Sequence, residues 1–133
     1  MLARGRIRKP ELARVIHDFS GIRLKNITPT DIDGFIEHNN ELMIFFEIKY
    51  KNSPLPFGQR LALERLVDVS HQNRPSILFV AQYDELNENN EVDGAQCTVR
   101  SYRYNKKWQT PKRSYSLGAA VRKFINYKSS ISA

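Results

Sequence analysis

The sequence predicts an α/β fold in which a central mixed β-sheet is flanked by helices. Three observations predict it. β-branched and aromatic runs bounded by turn residues recur at 32–37, 42–50, 76–83 and 98–104. Stretches with apolar residues at helical spacing precede, interrupt and follow these runs, at 10–20, 57–70 and 117–127. The run Leu42–Phe46 is apolar on both faces, as in a strand covered from both sides.

Each element has a local reason. Pro10 suits the first turn of a helix, and Leu12, Val15, Ile16 and Phe19 then form one stripe that Gly21 ends. Residues 22–27 alternate loosely as a first strand. Pro29 breaks the chain, strand 32–37 follows, and His38-Asn39-Asn40-Glu41 makes a hairpin connection into strand 42–50. Pro54 and Pro56 lead into helix 57–70, with Phe57, Leu61, Leu63, Leu66 and Val67 expected to be buried. Strand 76–83 is apolar, 84–96 is a polar loop, 98–104 is a strand and 105–113 is a basic loop. Helix 117–127 closes the order with Leu117, Val121, Phe124 and Ile125.

At 133 residues the chain is expected to form one domain around one core. No apolar run reaches the roughly 18 residues that a membrane span needs. The basic opening MLARGRIRKP is followed by no apolar stretch, so neither a signal peptide nor a membrane partner is expected. A single cysteine, Cys97, excludes an internal disulfide and fits a cytoplasmic location.

Charge is unevenly placed. Residues 97–133 carry nine Lys/Arg and no Asp or Glu, and the total is +7, so residues 1–96 sum to −2. A basic C-terminal region on a mildly acidic body suggests a polyanion contact. The basic side chains assigned to it are Arg100, Arg103, Lys106, Lys107, Lys112 and Arg113, with Lys51, Arg60 and an N-terminal arm of Arg4, Arg6, Arg8 and Lys9. Tyr102, Tyr104 and Trp108 interleave with them, either stacking on bases or packing as half-buried strand residues.

The chemistry-bearing residues lie around the first hairpin. Residues two apart in a strand share a face, so Glu47 and Lys49 project together. Asp33 on the paired strand can join them, and two carboxylates brought together invite a divalent cation. An adjoining lysine can then orient water or offset phosphate charge.

Asp33 followed by Glu47-Ile48-Lys49 on paired strands, with a helix before and after, resembles the PD-(D/E)xK nuclease superfamily over roughly residues 10–83. Pro29 lies three residues from that family's usual proline position. Gln59 resembles the helix glutamine of several branches, and Glu11 sits where archaeal Holliday-junction resolvases place an accessory acid. The Val-Arg-Arg signature of the VRR branch is missing. The resemblance implies a restriction-endonuclease-like αβββαβ core and a metal-dependent DNA endonuclease. Asp33, Glu47 and the Ile48 carbonyl would hold Mg²⁺, with Mn²⁺ substituting. Lys49 would position water, and Gln59 would orient the lysine or the phosphate. The substrate would be branched or duplex DNA, a four-way junction first, cut by a homodimer of phage or mobile-element type. Repair-type or restriction-type cleavage, or a basic nucleic-acid-binding module that does not cut, are the alternatives.

One geometric condition governs the metal reading. A two-residue Asn39-Asn40 turn would pair residues whose numbers sum to 79 and put Asp33 and Glu47 on opposite sheet faces. A sum of 80, from a three-residue loop 39–41 or a bulge at Gly34, would put them on one face.

Overall fold

The computed structural model describes Asp18, Ser20–Ile22, Lys25 and residues 29–132, the side chains of 129–132 excepted. The chain divides into two units, 1–30 and 31–133. In the first, Ser20–Ile22 forms a single 3₁₀ turn, with Ser20 N–H donating to Asp18 Oδ1, and Lys25 lies in a turn with φ 57°. The expected strand 22–27 is therefore not formed at its two described positions. Of the expected helix 10–20 only Asp18 and Ser20 are described, Asp18 outside any regular element and Ser20 opening the 3₁₀ turn; its other residues, with Glu11, Arg4, Arg6, Arg8 and Lys9, lie outside the described residues.

The second unit is a five-stranded mixed sheet flanked by two helices. Strands β1 (Gly34–His38), β2 (Leu42–Tyr50), β3 (Ser76–Tyr83), β4 (Thr98–Tyr104) and β5 (Lys107–Gln109) lie side by side in sequence order. Helix α1 (Phe57–Asn73) carries the chain from β2 to the parallel strand β3, and α2 (Leu117–Ser132) follows β5. All other pairings are antiparallel. Among the described residues two strands precede α1 and three follow it, which differs from the three-then-one order of an αβββαβ core.

The alternation of β2 divides the core into two layers. Leu42 and Ile44 join Ile77, Phe79, Ala81, Val99, Leu117 and Phe124 on the α2 side. Phe45 joins Leu78, Leu63 and Val67 on the α1 side. Glu47 and Lys49 continue the odd-numbered series and so face α1. Within α1 only part of the expected stripe is inside: Leu63 and Val67 are buried, whereas Phe57 is 78% and Leu66 38% exposed. The helix meets the sheet through a stripe too narrow to reach either residue.

Three boundaries depend on contacts distant in sequence or hidden by residue choice. Helix α1 runs three residues past its expected end because its last turn is tied to β3. Ser70 and Ser76 hydroxyls are 2.6 Å apart, and Ser76 N–H donates to His71 Nδ1. Helix α2 continues to Ser132 rather than ending at Tyr127. The basic loop 105–113 contains β5, because Asn105 and Lys106 both take positive φ and make a tight two-residue turn.

The first hairpin meets the condition set by the sequence. Gly34 pairs with Phe46, Phe35 with Phe45 and His38 with Leu42, so opposed residues sum to 80. The loop is 39–41: Asn39 and Asn40 adopt φ 49° and 58°, and Glu41 N–H donates to the His38 carbonyl. Asparagine tolerates the left-handed region better than most residues, which explains the pair of them here. Gly34 is not a bulge. A Cβ there would lie 2.4 Å from the Phe46 ring, so glycine makes room for that aromatic side chain.

Candidate metal centre

Strand β1 begins at Gly34, opposite Phe46, so the last four residues of β2 extend past it. Asp33 occupies the gap: its Oδ2 accepts a hydrogen bond from Ile48 N–H at 2.6 Å. Extending the observed register by one residue sets Asp33 opposite Glu47, close enough for its carboxyl to act on that of Glu47. An extended residue points its N–H and C=O to the same side, so the Ile48 carbonyl opens onto the same gap.

Helix α1 closes the other side. Gln59, in its first turn, donates from Nε2 to Glu47 Oε2 at 2.8 Å. Its Oε1 accepts from Lys49 Nζ at 3.3 Å, and Nε2 also approaches the Asp31 carbonyl at 3.4 Å. One amide therefore fixes both the acid and the lysine. The Asp31 main chain is a contact the sequence did not signal.

The four groups differ in exposure. Glu47 is 1% exposed, Lys49 and Gln59 are half-buried and Asp33 faces solvent. Burial pushes the Glu47 carboxyl up to about 8, helped by the hydrogen bond and negative charge of Asp33 and opposed by Lys49. Two carboxyls in contact cannot both ionise cheaply, so Glu47 holds a proton at neutral pH.

This donor set fits a hard divalent cation. It comprises a buried carboxyl, a carboxylate at the mouth and a main-chain carbonyl. Among the described residues no group of three or more His, Cys, Asp or Glu side chains gathers to hold a metal. Two carboxylates, with water and substrate oxygens completing the shell, is the pattern expected for Mg²⁺ rather than for zinc.

Glu37 and the cysteine have other work. Glu37 is exposed and accepts from Asn40 N–H in the hairpin loop. Burial, with the nearby charge of Asp93, pushes the Cys97 thiol up, leaving it a core residue rather than a nucleophile.

Among the described residues the basic side chains do not gather on one face. Arg103 is inside the structure: its guanidinium donates to both Asp68 oxygens, at 2.9 and 2.7 Å, and lies 3.8 Å from Glu64. Burial raises Glu64, but hydrogen bonds from Trp108 and Arg60 and the charge of Arg103 outweigh it and hold the carboxyl below its usual range. Arg60 is 3.1 Å from Glu64, and Arg100 donates to the Lys51 and Ser53 carbonyls, fastening the loop into α1. Lys51, in that loop, sets its ammonium over the Tyr50 ring. Lys106 and Lys107 turn at the other end of the sheet, since Tyr104 pairs with Ile77 and Lys107 while Lys49 pairs with Gln82. Strand geometry puts that turn about 10 Å along and about 14 Å across from Glu47. Lys112 and Arg113 are exposed beyond β5.

The interleaved aromatics are packing residues. Tyr102 and Tyr104 lie against the α2-side core, Tyr104 edge-on to His71 and Phe124. Trp108 packs with the α1-side core and donates Nε1–H to Glu64. The Glu64–Asp68–Arg103–Trp108 cluster was not foreseen. Its one sequence signal is a pair of acids four apart on a helix.

Comparison with family models, curated proteins and solved structures finds no match to this chain.

Proposed function

We propose that this protein is a Mg²⁺-dependent endodeoxyribonuclease of the PD-(D/E)xK type. The observation that carries the reading is the hairpin register. It stacks Asp33 on Glu47 and turns both, with Lys49, toward Gln59. Asp33, Glu47 and the Ile48 carbonyl would hold the cation, with Mn²⁺ able to replace it. When bound, the metal supplies Lewis acidity toward a phosphodiester oxygen and lowers the pKa of a bound water. Lys49 holds that water or the phosphate in line, and Gln59 keeps the Lys49 ammonium and the Glu47 carboxylate apart and oriented. Solvent reaches the pair from the Asp33 side, where substrate would enter.

Branched DNA is the first substrate on this reading, a four-way junction cut by a homodimer in the cytoplasm of the host. Among the described residues no helix is long and apolar enough to cross a membrane. The test is cleavage of four-way, flapped and linear duplex DNA with Mg²⁺. Glu47→Ala and Lys49→Ala should each abolish cutting while the folded state persists. Equal cutting by both variants and the parent would sink the assignment.

One observation favours a second reading, a basic nucleic-acid-binding module that does not cut. The protonated Glu47, beside Asp33 and bonded to Gln59, is already satisfied without a metal. Calorimetric titration separates the two: a nuclease site binds Mg²⁺ or Mn²⁺ and loses it in Asp33→Asn, whereas a structural acid pair takes up neither ion.

A further inference from the structure

A recess opens on the opposite face of the sheet from the acid pair. It forms where α2 crosses β3 and β4 and the segment after β5 passes alongside, and it encloses about 480 Å³. Phe79, Tyr102, Tyr115 and Phe124 wall it, and Ala120 lines it on the helix side. That volume lies within the roughly 300–1,000 Å³ typical of small-molecule sites, and it is too small for a folded partner or a duplex.

Its charge is one-sided. Lys112 and Lys123, both exposed, also line it, and no Asp or Glu occurs anywhere from Cys97 to the C-terminus. Of the other lining residues Ile77, Val99 and Pro111 are apolar, and Gln109, Thr110 and Tyr127 carry a polar group. Few polar groups reach inside. Gln109 is one, and its Oε1 already accepts from the Tyr102 hydroxyl at 3.0 Å. Apolar walls with cations at the rim suit a ligand whose body is desolvated while its charged head stays at the opening.

We propose that this recess binds a small amphipathic anion: an aromatic or aliphatic body carrying one carboxylate, sulfonate or phosphate. The site shares no residue with the Asp33–Glu47 centre and stands or falls independently of the nuclease reading. An aliphatic carboxylate and a nucleoside monophosphate both have this chemistry.

The full chain is titrated by fluorescence and calorimetry with 1-anilinonaphthalene-8-sulfonate and with its uncharged analogue N-phenyl-1-naphthylamine. The sulfonate should bind once per chain. The double variant Lys112→Gln/Lys123→Gln should weaken it about tenfold, as two lost cations imply, with the neutral probe unchanged. Ala120→Phe, which fills the recess, should remove both probes; if that variant does not fold, the exposed lysine pair alone decides. Displacement of the sulfonate by decanoate or by adenosine monophosphate identifies the source, and either supports the site. No saturable binding, or sulfonate binding indifferent to the lysine pair, overturns it.

Discussion

Asp33, just before β1, and Glu47, in β2, stand opposite each other with their carboxyl groups close together, one at the surface and the other 1% exposed. Such a pair is stable only while a proton or a cation separates the charges. That makes the pair a probe of the site as well as its centre.

Glu47 should make stability fall with rising pH. Its ordinary value is 4.5 and its folded value about 8, so between these the folded chain holds a proton that the unfolded chain has released. The contribution is full below 4.5 and disappears as pH passes through about 8. In EDTA the melting temperature should drop across pH 5–9, and Glu47→Gln should flatten that drop. Millimolar Mg²⁺ should reverse it at pH 8, because the cation binds the ionised form. A melting curve indifferent to both pH and the Gln variant would refute the shared proton.

The three-residue loop should control the site from a distance. Deleting Asn40 leaves a two-residue connection, moves Asp33 to the other sheet face and should eliminate metal binding, read by calorimetry. Asn39→Ala and Asn40→Ala keep the register but place alanine at φ 49° and 58°. Each should cost about 1 kcal/mol in urea unfolding, and Asn40→Gly should cost less.

Gln59→Leu should leave the helix in place and loosen both groups that it holds. Metal affinity should fall roughly 10- to 100-fold, the usual effect of losing an orienting partner. Cleavage at saturating Mg²⁺ should fall further, because Lys49 also loses its acceptor. Unchanged kinetics in this variant would mean that the amide only fills space.

Arg103 should act on stability and not on DNA. Its partner Asp68 and its own side chain are 20% and 14% exposed, so Arg103→Met should cost about 3–5 kcal/mol as an uncompensated acid is left behind. The salt dependence of DNA binding should keep its slope in that variant. Lys51→Gln, at an exposed lysine in the turn after β2, should reduce the slope by about one unit.

Much of the architecture was legible along the chain. Strands β2, β3 and β4 have the bounds their composition implies, because β-branched and aromatic runs between turn residues seldom fit another element. β5 was hidden because its turn is Asn105-Lys106, where the usual second residue is glycine. The length of α1 was hidden because its last turn depends on Ser76, which local periodicity does not see. The basic region was misleading for a similar reason. Charge counted along the chain sums Arg103 with Lys107, although the fold turns one inward to Asp68 and the other to the far end of the sheet.

The sequence by itself determined the alternation of β2, and with it that Glu47 and Lys49 share a face. It also reduced the metal question to a single parity. Only the tertiary structure decided that parity, because an Asn-Asn connection closes equally well with two residues or three. It also decided that Gln59 reaches Glu47 and Lys49, since the placement of α1 over the sheet is set by Leu63 and Val67 packing on Phe45 and Leu78. Local periodicity assigns each side chain to a face. Which faces meet follows from burial, which depends on residues far apart in the chain.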